Sequence, residues 1–204
     1  MAKQKHCNLS QEAEEWLNGE LLGDGCLQSP NASTYPISRS ARFKYGSKYL
    51  KYCQYVSDTL NSFGIEQSGK ITERYHKDWG NYSYCYNSRC YVELLPTQKK
   101  WYPEGKKIVP KDIELTPLVC RQWYIGDGCL VRKKWNRLNI TLSTYNFSIP
   151  DVEWLVKELN KLKFKTTRKP SNNIIHISSY STQDFLNYIG ECPVICYQYK
   201  WSYL

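Results

Sequence analysis

The stretch "LNGELLGDGCL", Leu17 to Leu27, decides how this chain is read. Its core, Gly-Asp-Gly-Cys-Leu, returns in "CRQWYIGDGCL", Cys120 to Leu130. Each copy ends a helical pattern. Ser10 offers an N-cap with Glu12 in the first turn. Thr116-Pro117 offers a cap followed by proline at the first helical position. A single Gly-Asp-Gly is turn punctuation, because glycine enters left-handed backbone regions freely. Two copies with matching flanks indicate an internal duplication. The spacing predicts one helix from Ser10 to Gly23 and another from Leu118 to Gly126.

Outward from the motifs, the halves follow one plan. After Gly25 come two extended segments. In the second, "SRSARFKY", Arg42 and Lys44 share a face, while Ala41, Phe43 and Tyr45 share the other. Lys48 to Phe63 reads as a helix with Leu50, Cys53, Val56 and Leu60 as its stripe and Gly64 as its stop. "KITERYH" and "NYSYCYNS" read as strands. A short helix is expected near Arg89 to Leu95. In the second half, "RLNITLS" alternates, with Leu138, Ile140 and Leu142 inward and Arg137, Asn139 and Thr141 outward. Pro150 opens a helix, "NIIHISSY" is a strand, and Ser181 to Ile189 forms a last helix. Each half therefore reads α-β-β-α-β-β-α. Lys99 to Leu115, with its prolines and lysine pairs, reads as a linker.

The charge balance of 28 Lys+Arg against 19 Asp+Glu gives +9, which favours a polyanionic partner, nucleic acid above all. The distribution sharpens this. Gly25–Ser57, Gly128–Pro150 and Leu159–Gln183 hold no acidic residue but many lysines and arginines, and the first two runs directly follow the motifs. The nine cysteines form no Cys-x-x-Cys and the three histidines are far apart, which excludes a zinc cluster or a histidine-metal nuclease motif. Scattered cysteines read as thiols in a reducing, intracellular compartment, with bacterial cytoplasm and organelle equally open. The start "MAKQKHCNLS" has no apolar signal core, and no run is suited to span a bilayer.

Gly23 and Gly126 permit close approach of the two motif helices. If these pack together, Asp24 and Asp127 meet at the base of the pair. Adjacent carboxylates repel unless a cation neutralises them. Hard oxygen ligands suit magnesium, which keeps waters and takes phosphate oxygens. Metal between carboxylates and a phosphodiester generates hydroxide and stabilises the leaving oxygen.

At these residues the chain resembles the LAGLIDADG homing endonucleases in their single-chain, two-motif form. The name-giving nonapeptide corresponds to Leu17–Gly25 and to Cys120–Gly128. "WYPEGKKIVPKDIELTP", Trp101 to Pro117, resembles the linker of the subgroup that includes the yeast mitochondrial intron endonuclease, and "CYQYKW" resembles that subgroup's closing Tyr-Lys. The resemblance implies an α+β fold of two pseudo-symmetric αββαββα repeats, residues 1–98 and 116–204, joined by linker 99–115. Their motif helices would pack at the centre, with curved antiparallel sheets forming a DNA-binding saddle. It implies a monomeric endonuclease that hydrolyses both strands of a long asymmetric double-stranded DNA target with Mg2+, for which Mn2+ substitutes. It assigns Asp24 and Asp127 as metal-binding acids, with the carbonyls of Gly23 and Gly126 adding contacts. It assigns Lys107 and Lys200 as basic residues beside the first and second active sites, offsetting charge on the phosphorane. The alternative is a catalytically inactive nucleic-acid binder or intron-splicing maturase, a role some family members have taken. Candidate DNA contacts are Arg39, Arg42, Lys44, Arg74, Arg132, Lys134, Arg137, Asn139, Lys165 and Arg168. Each is open to three readings: a base contact, a phosphate contact or a solvated face. The second motif departs from the first, with Cys120 for Leu17 and Gln122 for Gly19, which leaves open how tightly the helices approach at that turn.

Overall fold

A computed structural model describes residues 5–29, 39–78, 80–133, 135 and 137–202. The first half runs α1 (Gln11–Leu22), β1 (Cys26–Gln28), β2 (Arg42–Ser47), α2 (Leu50–Ser62), β3 (Thr72–His76), β4 (Asn81–Asn87) and α3 (Leu94–Trp101). The second runs α4 (Pro117–Asp127), β5 (Gly128–Arg132), β6 (Leu138–Leu142), α5 (Ile149–Lys161), β7 (Thr166–Lys169), β8 (Ile174–Ile177) and α6 (Thr182–Ile189). The two antiparallel sheets have equivalent strand orders, β1-β2-β4-β3 and β5-β6-β8-β7. The duplication read in the sequence is thus a duplication of topology. A single-turn 3-10 segment follows at Pro103–Gly105 and a six-residue one at Ile195–Lys200.

The helix starts form as their side chains dictate. The Ser10 hydroxyl accepts from the Ala13 N–H at 3.2 Å, and the Thr116 hydroxyl from the Val119 N–H at 3.3 Å. The helix expected near Arg89 begins later, at Leu94. The reason is local: Tyr91 is held extended by exchanging backbone hydrogen bonds with Ala41 at 2.8 and 3.0 Å. Helix α3 then continues into the segment expected as linker, ending at Trp101.

Helices α1 and α4 pack face to face at the centre. Trp16, Leu17, Leu21 and Leu22 from one side and Trp123, Tyr124 and Ile125 from the other are almost fully buried. Trp16 packs on Phe43 and Phe63 of its own half and Tyr124 on Phe185 and Trp201 of its own, so each motif helix serves both the seam and its lobe's core. Burial of each such side chain contributes roughly 1.5–3 kcal/mol. Gln122 does not loosen the approach. A Cβ added to Gly19 would lie 2.6 Å from the Val119 carbonyl and 2.7 Å from the Gln122 Cβ. The hole left by one motif's glycine is filled by the other motif's glutamine.

Each sheet puts one face against helices and leaves the other open. In the first, Phe43, Tyr45 and Tyr86 are buried beneath α2. The strand pairings then set Cys26, Gln28, Arg42, Lys44, Asn87, Cys85, Ser83, Thr72, Arg74 and His76 on the open face. In the second, Leu130, Ile140, Leu142, Ile175 and Ile177 are buried. Cys129, Val131, Asn139, Thr141, His176, Thr167 and Lys169 fall on the open face. The inward and outward assignments read for "RLNITLS" and "SARFKY" hold in the structure.

Candidate active site

The ends of α1 and α4 meet backbone to backbone. A Cβ added to Gly126 would lie 3.2 Å from both the Gly23 Cα and the Asp24 nitrogen, and one added to Gly23 would lie 3.4 Å from the Gly126 Cα. A Cβ at Gly126 would already be tight against the backbone of the other helix end, and one at Gly23 would just touch it. The next residue in each motif is the acid, so Asp24 and Asp127 enter the same space. Directly beyond each begins the first strand of its sheet, and the acids therefore stand between the two open faces.

Two lysines close the site from parts of the chain distant in sequence. The Lys107 ammonium donates to the carbonyls of Gly23 at 3.1 Å and Gly25 at 3.0 Å. The Lys200 ammonium donates to the carbonyls of Ile125 at 2.5 Å and Gly126 at 3.1 Å. Each lysine thereby neutralises the negative end of one motif helix, where carbonyls lack intrahelical partners. The placement is supported on both sides. Ile108 donates to the Trp101 carbonyl at 2.9 Å, fixing the strand of chain that carries Lys107. The Tyr124 hydroxyl donates to the Lys200 carbonyl at 2.5 Å. Lys107 and Asp127 also line one small cavity of about 70 Å3, with Gly23, Thr144 and Phe147 among its walls.

The electrostatics of this cluster are unbalanced. Burial, then repulsion from Asp24, pushes the Asp127 carboxyl from 3.8 up to about 7, against the pull of Lys107 and Lys200. Asp24 is solvent-exposed on its outer side but packed by protein on the rest, and that burial raises it despite Lys200 and Lys107. Burial lowers Lys107, and it lowers Lys200 from 10.5 to about 8. Lys200 is only 7% exposed. A carboxyl that burial and a neighbouring aspartate raise even with two lysines present is a fit for an added cation. Among the described residues no group of three His, Cys, Asp or Glu gathers to form a conventional ligand set. The available donors are two carboxylates and the carbonyls of Gly23 and Gly126, an all-oxygen set that suits a hard divalent ion. Both carbonyls already accept a lysine proton, leaving each a second lone pair.

One acid was not picked out from the sequence. Glu20 is 1% exposed in the α1–α4 seam and accepts the Tyr52 hydroxyl at 2.5 Å. Burial pushes its carboxyl up to about 8. The signal was present: Glu20 stands on the apolar face of the motif, between Leu17 and Leu21. Gln122 meets the same cluster, its side-chain amide donating to the Tyr55 hydroxyl at 3.1 Å.

The candidate DNA contacts divide. Arg42, Lys44, Arg74 and Asn139 lie on the open faces, and Arg42 donates to Gln28 at 2.9 Å across that face. Arg137 precedes β6 in the same parity as Asn139, and Arg39 is exposed ahead of β2. The Lys165 ammonium rests over the Tyr180 ring at 5.0 Å. Lys134 lies outside the described residues. Arg168 turns to the helix-bearing face instead, where its guanidinium meets Glu153 of α5 at 3.5 Å. Arg132 shares the parity of buried Leu130. The residue that takes the open face in place of Arg168 is its neighbour Lys169.

A model of the LAGLIDADG DNA endonuclease family matches residues 14–185, most of the chain and both motifs. The chain belongs to that family. It is 27% identical over 158 residues to the uncharacterized protein MJ1098 of Methanocaldococcus jannaschii, covering 76% of this chain and 58% of that one. It is 24% identical over 191 residues to the cytochrome b mRNA maturase bI2 of Debaryomyces hansenii, covering 86% of this chain and 66% of that one. The chain thus spans under two thirds of the length of either relative. Among solved structures, the homing endonuclease I-WcaI bound to its DNA recognition sequence superposes with a TM-score of 0.76 at 20% identity, covering 97% of this chain and 88% of that one. I-DmoI in complex with DNA and Mn superposes with a TM-score of 0.53 at 16% identity, covering 87% and 96%. The LAGLIDADG fold, with its two motif helices and paired sheets, is therefore shared over nearly the whole chain. No described helix is long and apolar enough to cross a membrane.

Proposed function

We propose that this LAGLIDADG chain is a site-specific endonuclease that hydrolyses both strands of a long, asymmetric double-stranded DNA target. The observation that carries this reading is the meeting of Asp24 and Asp127 through the Gly23–Gly126 contact, with Lys107 and Lys200 each anchored on one motif. A chain that only bound nucleic acid would not require two mutually repelling carboxylates and two desolvated lysines at one point. Mg2+, or Mn2+ in its place, held by Asp24, Asp127 and the Gly23 and Gly126 carbonyls, would supply Lewis acidity and lower the pKa of bound water.

The chain's own residues do the rest. The open faces carry Arg42, Lys44, Arg74, Arg137 and Asn139 to the grooves and backbone of the duplex, and set the scissile phosphates over the helix ends. Lys107 and Lys200 hold charge at fixed ammonium positions, oriented by carbonyls before substrate arrives, so no reorganisation is needed as negative charge develops. Their lowered pKa values also allow a proton to be shared with attacking water or leaving oxygen near neutral pH. With both half-sites in one chain, it acts as a monomer on a target that need not be palindromic. An intracellular, reducing setting suits nine cysteines none of which is disulfide-bonded in the structure.

A second reading is favoured by one comparison, the maturase relative. It makes the chain a nucleic-acid binder that assists intron splicing without cutting. Purified protein, Mg2+ and a duplex carrying the uninterrupted insertion junction separate the two: cleavage of both strands supports the endonuclease, and tight binding with intact strands supports the binder.

A further inference from the structure

Lys107 and Lys200 are anchored on different motifs, and each is also met from the opposite lobe. Lys107 donates to the carbonyls of the first motif, yet the ring its ammonium meets is Phe147 of the second lobe, in the loop between β6 and α5, at 5.7 Å. Lys200 donates to the carbonyls of Ile125 and Gly126 of α4, and its ammonium stands over the Tyr197 ring at 5.0 Å. The local reason is the 3-10 turn Ile195–Lys200, because side chains three residues apart eclipse in such a turn. A cation out of water is attracted by the ring's negative face. Tyr197 in turn is gripped by the first lobe. Its ring meets the Tyr49 ring edge-on at 5.2 Å and the Tyr52 ring at 5.0 Å, and its hydroxyl lies 3.4 Å from the Ser47 hydroxyl. Ser47 ends β2, Tyr49 immediately precedes α2 and Tyr52 lies in its first turn. Tyr197 is as buried as Lys200. The segment that carries the second lysine is therefore seated on the strand-to-helix junction of the first lobe.

We propose that Tyr197 is a positioning residue that ties the Lys200 ammonium, held on the second motif, to the β2–α2 junction of the first lobe. The lysine of one centre is thereby set by the lobe that carries the other. The kinetic part of this inference rests on the endonuclease reading, while the placement of Lys200 does not.

The test is Tyr197→Leu, which removes the ring and keeps an apolar side chain, beside Tyr197→Phe, which keeps the ring. The first readout is acylation of Lys200 by acetic anhydride in DNA-free protein, read by peptide mass spectrometry with Lys107 as internal reference. Tyr197→Leu should raise the Lys200-to-Lys107 labelling ratio about tenfold, the range of one desolvated cation–ring contact, and Tyr197→Phe should hold it within about threefold of wild type. The second is strand-resolved cleavage of the target duplex. Tyr197→Leu should slow, about tenfold more than the other, the strand that Lys200→Ala slows, and Lys200→Ala should add far less in that background than alone. If circular dichroism shows Tyr197→Leu unfolded, Tyr49→Leu takes its place in both measurements with the same direction expected, since Tyr49 grips Tyr197 from the first lobe. A wild-type labelling ratio in the folded variant overturns the proposal, as does equal slowing of both strands. A ratio in Tyr197→Phe equal to that of Tyr197→Leu overturns it too, because the ring would then hold nothing. Failure of the wild type to cut any duplex refutes the endonuclease reading alone, and the labelling ratio still decides Tyr197.

Discussion

The ends of α1 and α4 carry the same Gly-Asp-Gly, yet their backing differs in kind. Behind Asp24 lie Glu20, Tyr52 and Tyr45, a buried polar group joined across the seam to Gln122 and Tyr55. Behind Asp127 lie Trp123, Ile125 and Leu142, which are apolar and fully buried. What both copies retain is a close-approach glycine, an acid and an anchored lysine. What they do not share is the shell behind these. The duplicated elements are those the proposed chemistry uses twice.

The largest effects should erase the comparison altogether. Asp24→Asn and Asp127→Asn each remove a proposed metal ligand shared by the site. Both should reduce cleavage by more than the roughly 1,000-fold that follows loss of one electrostatic donor, with sequence-specific binding retained in gel-shift titrations. A variant of either that cuts at wild-type rate would break the equivalence of the two acids. Next come the lysines. Lys107→Ala and Lys200→Ala should slow cleavage by about 100-fold to 1,000-fold. Each should let nicked plasmid accumulate, with the favoured nick switching strands between the two variants. Equal slowing of both strands by both lysines would mean that the centres are not separable.

The fold was legible from the sequence to a large degree, and the reasons are physical. Period-two alternation in "RLNITLS" and "SARFKY" fixed which side faces the helices, because the partner face is continuous and apolar. Caps at Ser10 and Thr116 fixed helix starts. What escaped depended on neighbours distant in sequence. Arg168 and Lys169 are adjacent, basic and in one strand, and a one-residue choice of register sends one to Glu153 and the other to the open face. Glu20 gains its meaning only when α2 brings Tyr52 onto the motif helix. Gln122 fits the seam only because Gly19, distant in sequence, lies opposite it.

Smaller effects sharpen the contrast. Asp127 has a folded-state pKa raised from 3.8 to about 7, so its contribution to stability is present below 3.8 and is lost as pH rises toward 7. Metal-free wild-type protein should therefore lose melting temperature relative to Asp127→Asn as pH rises through that window. Mg2+ should restore part of the loss. A constant difference across the window would show that Asp127 is not held in the unbalanced cluster described. The smallest effects concern the saddle. Arg137→Ala should weaken DNA binding and reduce the salt slope by about 1 if it meets a phosphate, or cost about 1–3 kcal/mol at one base pair if it reads a base. Arg168→Ala should leave affinity and salt slope unchanged, because its partner is Glu153.

The proposed double-strand endonuclease rests on the meeting of Asp24 and Asp127 at the Gly23–Gly126 contact. Its most direct test is supercoiled plasmid carrying the uninterrupted insertion junction, incubated with purified protein and Mg2+ and compared with EDTA. A double-strand endonuclease gives a single linear product with Mg2+ and leaves intact plasmid with EDTA. Specific binding to the junction with the plasmid still supercoiled in Mg2+ would contradict it and leave the splicing-type binder as the reading of this chain.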